Sequence, residues 1–368
     1  MSPYLRAFVI LGLSVGLMAF FLRNAELDRV WAEMSTARLD LLAWSFLAIA
    51  LSYLIRVERW RRLLQPVGPA SLVSAGRATV IGFAANALLP GRVGEVLRPY
   101  VLARRERLSG PAAFATIVLE RLLDLLAIVL MVAVFIVLDD PPKTAPQLLR
   151  ALRIGAFGAG GFAIVSLGLV VSLVRSPGRA DRVARWCAYV APSGVVRAVT
   201  RVAQRFLQGL SVVRRPGPLV IAMLLSVALW ASVSVSMWMT SLAFGIALSF
   251  GGSVILMGMV AIGVAVPTPA GVGGYHAAYQ LGATALYGAG VDEAVGAALV
   301  MHAIAFGPVT LLGLVFMAQE GLRLGSLRGF GKADAERSAE LETAVPVSAG
   351  APIPVVSVAP AEDDGGAG

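Results

Sequence analysis

The sequence predicts an all-α fold: a polytopic transmembrane helical bundle of six full spans and two re-entrant hairpins, arranged as an inverted-topology repeat. Three observations predict it. First, the 368 residues are 58% hydrophobic and only 14% charged, with a mean hydropathy of +0.79. Soluble domains run at about 45–50% apolar and about 25% charged. Second, the apolar residues gather in runs close to the ~20 residues that a bilayer-crossing helix needs. Third, the net charge of +9 is carried almost wholly by arginine, Lys143 and Lys332 being the only lysines. These arginines collect in short loops between apolar runs, which is the positive-inside pattern and not a nucleic-acid footprint.

Residues 5–22 read as an uncleaved first span, because no small-x-small cleavage site follows and Arg23 closes the run at membrane length. Residues 26–38 mix charged and apolar side chains and suit an interfacial helix. Residues 40–56 form a second span ending in "RVERWRRLL", a basic anchor. Residues 71–90 are apolar apart from Arg77 and Asn86 and run into "NALLPGRVGEVLRPYVLARRERLSG". Residues 112–138 are a long span, "DDPPKTAP" is a loop, and 154–174 is a glycine-rich span. Residues 175–216 are polar; "RVARWCAYV" and "RAVTRVAQRFLQGL" read as amphipathic helices lying on the membrane surface. Residues 217–245 are a span, 253–288 are apolar but broken by "VPTPAGVGG", and 293–318 are the last span. The chain therefore divides into a transmembrane domain, 1–320, and a tail, 321–368. The tail's Ala/Pro/Val/Glu/Gly composition predicts disorder.

Charge fixes sidedness. The basic loops 56–77, 92–107 and 175–215 and the start of the tail belong in the cytoplasm, and the mixed or acidic loops 23–40 and 139–150 outside. Both termini are then cytoplasmic, and the expected location is the bacterial cytoplasmic (inner) membrane. By the same parity, 71–109 and 253–288 each enter and leave on one side, as re-entrant hairpins. Half one (1–150) and half two (151–320) then repeat with every direction reversed. The hairpin tips support this. In "PGRVGEVLRPY" and "PAGVGGYHAAY", Pro90, Val93, Gly94 and Tyr100 match Pro269, Val272, Gly273 and Tyr279 at one offset of 179.

Irregular backbone at membrane depth survives only where protein or a water-filled cavity satisfies its polar groups. Pro90, Gly91 and Gly94 break the first hairpin; Pro267, Pro269, Gly271 and Gly273 break the second. Arg92, Glu95 and Arg98 follow the first break at spacings of three, on one helical face, with Asn86 one turn before it. Arginines beside exposed backbone N–H groups suit a phosphate or another lipid headgroup. Arg104, Arg105 and Arg107 read as anchors to anionic lipid. "LERLLDLL" places Glu120, Arg121 and Asp124 on one side of an apolar span. Each would cost about 2.5–3.5 kcal/mol facing lipid, so they are expected to face inward and pair. That pairing is either a structural ion-pair knot, with Arg92 or Arg98, or a polar cavity that receives a headgroup or moves a proton. His276 and His302, the only histidines, are either satisfied core residues or participants in headgroup or proton handling.

Other chemistries find little support. Cys187 is the only cysteine, which excludes an internal disulfide and a cysteine metal site. Two scattered histidines are too few ligands for zinc, and no metal is expected. Gly271, Gly273 and Gly274 follow no strand and are not a dinucleotide loop. No catalytic motif is present, so neither catalytic residues nor a cofactor are expected, and a non-enzymatic role is favoured.

Together, "NALLPGRVGEVLRPYVL", "LERLLDLL", "PTPAGVGGYHAA" and "HAIAFGPVTLLGL" resemble the lysylphosphatidylglycerol synthase membrane-domain family of flippase-like integral membrane proteins. The resemblance runs from about residue 5 to residue 320. Its N-x-x-P-x-R-x-G-E-x-x-R pattern falls on Asn86, Pro90, Arg92, Gly94, Glu95 and Arg98. Its E-R-x-x-D pattern falls on Glu120, Arg121 and Asp124, and its later Pro/Gly motif on Pro267, Pro269, Gly271 and Gly273. Many relatives place an acid where this chain has His276. The bifunctional synthases continue into a soluble aminoacyl-transferase domain, where only a short low-complexity tail is expected here. The resemblance thus implies the lipid-translocating part without the lipid-modifying part: binding and translocation of an anionic or isoprenoid-linked lipid. Membrane lipids are the expected partners, and the oligomeric state is open. Two rivals stand beside this reading. One is an accessory subunit that meets a lipid or cell-envelope glycan synthase through the 175–216 loop at the cytoplasmic face. The other is a membrane transferase acting on a lipid-linked substrate.

Overall fold

A computed structural model describes residues 3–89, 92–138, 146–175, 202–266 and 268–322, with side chains from residue 12 onward. The loop at 139–145, residues 176–201 of the expected surface helices, the tail from 323, and Pro90, Gly91 and Pro267 lie outside the described residues. Residues 1–317 form one compact unit, and the site lies in it.

The described residues contain helices and no strand. In chain order these are α1 (Pro3–Leu22), α2 (Leu27–Thr36), α3 (Leu39–Leu63), α4 (Leu72–Leu88), α5 (Gly94–Glu106), α6 (Gly110–Leu138) and α7 (Pro146–Arg175). Then follow a 3-10 turn (Leu210–Arg214), α8 (Pro216–Ala243), α9 (Phe250–Ala265), a 3-10 turn (Pro269–Gly271), α10 (Gly274–Tyr287) and α11 (Val291–Gln319). Five helices, α3, α6, α7, α8 and α11, are long and apolar enough to cross a membrane; α1, shorter at 20 residues, still has the length of about 20 that a span needs. This is a polytopic helical membrane protein. The amphipathic α2 buries only Val30.

Two helices begin or end well beyond their expected limits. α3 runs to Leu63 instead of 56, and α7 starts at 146 instead of 154. In α3 the reason is a buried stripe: Ser45, Ile49, Ser52, Arg56, Arg59 and Leu63 recur at alternating spacings of four and three. α8 carries a matching stripe, Ala222, Ser226, Leu229, Ser236 and Thr240. The two helices pack antiparallel along these stripes. Ser45 Oγ lies 2.7 Å from Ser236 Oγ and 2.8 Å from Thr240 Oγ1, while at the other end Arg59 Nη1 donates to Ser226 Oγ at 2.6 Å. Small side chains and hydroxyls allow such an approach where lipid offers no hydrophobic drive between helices.

α4, α5, α9 and α10 are 17, 13, 16 and 14 residues long, shorter than a full span. They form two hairpins built on the same device. A Cβ added to Gly94 would overlap the Gly82 carbonyl, and one on Gly82 would crowd the Gly94 carbonyl. Gly263 and Gly274 stand 181 and 180 positions later and repeat the contact, each lying against the other's carbonyl. Each tip also holds a left-handed non-glycine residue, Arg92 (φ 55°) and Ala270 (φ 53°). Gly94→Ala is therefore expected to destabilise the protein by about 1–3 kcal/mol or more, because backbone and not a flexible side chain must yield. Gly155→Ala, where a Cβ meets nothing within 4 Å, is expected to be neutral or slightly stabilising. Thermal unfolding in detergent measures both.

At the base of the first hairpin, Ser71 donates to Glu106 Oε1 through its N–H (3.2 Å) and its hydroxyl (2.9 Å). Hydrogen bonds from Ser74 and Ser71 hold the Glu106 carboxyl below its usual range. This anchor is therefore fully present above the unfolded value and lost as pH falls through the lowered one.

Candidate functional site

The charges of α3, α5 and α6 converge in one buried cluster. Glu120 is fully buried, and its Oε1 receives Arg121 Nη2 at 2.7 Å, Arg98 Nη1 at 2.9 Å and Arg59 Nη2 at 3.3 Å. One turn on, Asp124 Oδ1 meets Arg59 Nη1 at 2.5 Å and accepts the indole N–H of Trp230 at 3.0 Å. Asp124 Oδ2 faces Arg121 at 3.4 Å and Arg56 at 3.9 Å. Four guanidiniums thus meet two carboxylates. Arginine does not deprotonate in proteins, so the cluster holds a positive surplus inside the bundle. Aromatic faces take part of it: the Arg98 guanidinium sits 3.9 Å from the Trp60 ring centroid, and that of Arg56 lies 5.2 Å from Phe83 and 5.9 Å from Trp230.

Beside this cluster opens a cavity of about 530 Å³, within the size range of small-molecule sites. Its polar lining includes Arg56, Asn86, Arg121, Asp124, Thr268 and Tyr275. Each of these six keeps a buried nitrogen or oxygen with no hydrogen-bond partner among the described residues: Arg56 Nε, Asn86 Oδ1, Arg121 Nε, Asp124 Oδ2, Thr268 Oγ1 and Tyr275 OH. Buried polar atoms are ordinarily paired. These six are shut off from the cavity surface, so the groups that can meet a ligand are the more exposed charges on its wall: the side chains of Arg92 (44%), Arg121 (38%) and Glu95 (29%).

The two hairpin tips meet at this cavity. Arg92 and Glu95 line it from the first tip, and Ala270 and Gly271 from the second. Arg92 Nη2 donates to the Val264 carbonyl at 2.7 Å, while Nη1 lies 3.7 Å from Glu95. Val264 is in the last turn of α9, so Arg92 caps an orphan carbonyl at the negative end of that helix. The histidines sit behind the second tip, outside the cavity lining. Their ring centroids are 4.6 Å apart. His276 Nδ1 accepts the Gly273 N–H at 3.3 Å, and His302 Nε2 donates to the Ala270 carbonyl at 3.0 Å. These partners assign each tautomer and tie both rings to the turn Ala270–Gly273, where Ala270, Gly271 and Gly273 have positive φ and which is closed on its other side because a Cβ on Gly273 would strike Leu17 of α1.

Of the residues the sequence singled out, Asn86, Arg92, Glu95, Arg121 and Asp124 line the cavity. Arg98 and Glu120 lie behind it in the ion-pair cluster, and His276 and His302 behind the second tip. Gly94, Pro269, Gly271 and Gly273 fall at the hairpin turns. Arg98, and not Arg92, pairs with Glu120. Sequence reasoning missed Arg56 and Arg59, absorbed into the anchor "RVERWRRLL". The signal was their register: they continue the Ser45–Ile49–Ser52 face, whereas Arg61 and Arg62 pair with Glu58 on the other side of the helix at 2.9 and 2.8 Å.

The comparisons agree with this architecture. A family model described as the lysylphosphatidylglycerol synthase TM region matches residues 7–313. The chain is also similar to the Glycosyltransferase AglD of Haloferax volcanii, with 26% identity over 337 residues. The match covers 82% of this chain and 51% of that protein, so the chain spans about half the length of this curated relative.

Proposed function

From the premise that this chain belongs to the lysylphosphatidylglycerol synthase TM-region family, membrane proteins that act on lipids or lipid-linked glycans, we propose that it binds an anionic lipid in the cavity and carries its headgroup between leaflets. One observation carries the reading: a cavity bordered by a cluster with a positive surplus, with the Arg92 and Arg121 side chains 44% and 38% exposed on its wall. A phosphate or phosphodiester brings negative charge and acceptor oxygens to Arg56 and Arg121. Arg92 and Asn86 extend the polar wall to the first hairpin tip, and Glu95 and Asp124 hold the arginines in place.

An inverted repeat supports translocation over static binding. The offset of 179 that aligns the tips carries α3 onto 218–242, α4 onto 251–267 and α6 onto 289–317, close to α8, α9 and α11. The equivalent helices α3 and α8 are the antiparallel pair at the centre. We place the protein in the bacterial cytoplasmic membrane with both termini cytoplasmic, and a lipid or glycan synthase as a partner at the 175–216 loop.

The test is reconstitution into vesicles with fluorescent phospholipid or isoprenoid-phosphate reporters, followed by chemical bleaching of the outer leaflet. Bleaching beyond the outer-leaflet share, absent from empty vesicles, is the expected result; bleaching equal to that of empty vesicles overturns translocation. Similarity to a named glycosyltransferase favours a second reading, a membrane transferase using a lipid-linked sugar. That reading predicts turnover of such a sugar by the purified protein.

A further inference from the structure

α7 has two unlike faces. Outward it presents large apolar side chains: Ile154, Phe157, Phe162, Ile164 and Val165 are each 63–80% exposed. Toward the cavity it presents Leu152, Gly155, Ala156 and Ala159, a helical stripe at i, i+3, i+4 and i+7. In a bilayer, small residues on an inward face ordinarily mark a close helix contact. The close contact of α7 with α6 lies further along, where a Cβ on Gly160 would sit 3.0 Å from Val129. At Gly155 an added Cβ meets nothing within 4 Å. The small residues therefore hold space open beside the helix contact.

That space is continuous with the charged end of the cavity. Along α6 the lining passes from Arg121 and Asp124 to Ile128, Val129 and Val132, about 16 Å at 1.5 Å per residue. α3 repeats the gradient from Arg56 to Ile49, and α8 from Trp230 to Met237. Three helices thus place polar groups at one end and hydrocarbon at the other. At the polar end, Arg121 lines the cavity with 38% of its side chain exposed, beside the buried Arg56. A free inorganic or sugar phosphate would use the polar end alone and leave the apolar length unfilled. A lipid phosphate fills both.

We propose that the Leu152–Ala159 face of α7, together with Ile128, Val129 and Val132 of α6, is a binding slot for the hydrocarbon chain of the lipid whose phosphate enters the charged end. This rests on the lipid-binding reading above and adds where the chain goes. The occupant is a hydrocarbon chain of acyl or isoprenyl origin, and the two sources are separated by the probes. Full-length protein is reconstituted with phosphatidic acid carrying a diazirine in its acyl chain, or with a diazirine-bearing farnesyl phosphate. It is then irradiated, and the adducts are mapped by mass spectrometry.

Bulk lipid labels Ile154, Phe157, Phe162 and Val165 and sets the baseline. The expected result is additional labelling at Ile128, Val129, Val132, Leu152 or Ala159, lowered at least fivefold by Gly155→Leu while outer-face labelling is unchanged. Gly155→Leu grows into open space, so the fold is retained; the unaltered outer-face labelling reports it. Labelling of the slot by one probe alone assigns the chain type. Labelling confined to the outer face with both probes overturns the slot, as does slot labelling that Gly155→Leu leaves unchanged. The bleaching assay on the same vesicles keeps the readings apart. Transport without slot adducts sinks the slot and leaves translocation standing. Slot adducts without transport support the slot and sink translocation.

Discussion

Glu120→Gln is expected to destabilise the folded protein by about 3–5 kcal/mol, the usual cost of removing one partner from a buried ion pair. The effect should be seen as a lowered melting temperature in detergent and a smaller monodisperse yield. Glutamine keeps the shape and loses the charge. Glu120 Oε1 is the meeting point of Arg98, Arg121 and Arg59; without its charge, Arg98 loses the carboxylate it pairs with, and Arg56, Arg59 and Arg121 are left sharing Asp124. Removing a positive partner as well should return part of the loss, so Glu120→Gln with Arg98→Met is expected to melt above Glu120→Gln. Such non-additivity is the mark of direct coupling. The expectation of a structural role rests on the place of Glu120 behind the cavity wall. A Glu120→Gln protein that melts like the parent but no longer moves lipid would reassign it to proton or headgroup handling.

Much of this architecture could be read from hydropathy and arginine placement, because membrane spans are set by two strong constraints: apolar length and backbone satisfaction. α6 was expected at 112–138 and spans 110–138; α11 was expected at 293–318 and spans 291–319. The hairpin breaks were legible because proline and glycine mark them directly. The arginines of α3 were harder. A basic run at a helix end has two outcomes, solvated anchor or buried cluster, and composition treats all four arginines alike. Only the register along the Ser45–Leu63 stripe separates Arg56 and Arg59 from Arg61 and Arg62. The division of "LERLLDLL" was invisible for a related reason. Spacing puts Glu120, Arg121 and Asp124 on one side of α6, but which of them borders a cavity depends on what α3, α5 and α8 bring opposite. The two adjacent histidine rings, 26 positions apart in sequence, meet only because the second hairpin folds back onto α11.

Arg121→Gln is expected to weaken binding of an anionic lipid by about ten- to a hundredfold, the range set by losing one charge-assisted hydrogen bond at about 1.5–3 kcal/mol, with little loss of fold. Arg121 differs from its neighbours in being 38% exposed in its side chain while lining the cavity, with Nε unpaired. Glu120 retains Arg98 and Arg59 when Arg121 is neutralised, and Asp124 retains Arg59, Arg56 and Trp230. No carboxylate is stranded. Arg98→Gln makes the contrast. Arg98 is 4% exposed, lies against Trp60 and is absent from the cavity wall. Its loss should lower the melting temperature and change binding only as far as folding is impaired. Titrating each purified variant with phosphatidic acid and with a zwitterionic phosphatidylcholine of the same chains separates the two. Arg121→Gln should lose affinity mainly for the anionic lipid, because the lost partner is a positive charge meeting a phosphate and not a surface meeting hydrocarbon. Equal losses for both lipids, accompanied by a fall in melting temperature matching that of Arg98→Gln, would make Arg121 another member of the structural knot and remove the headgroup from this end of the cavity.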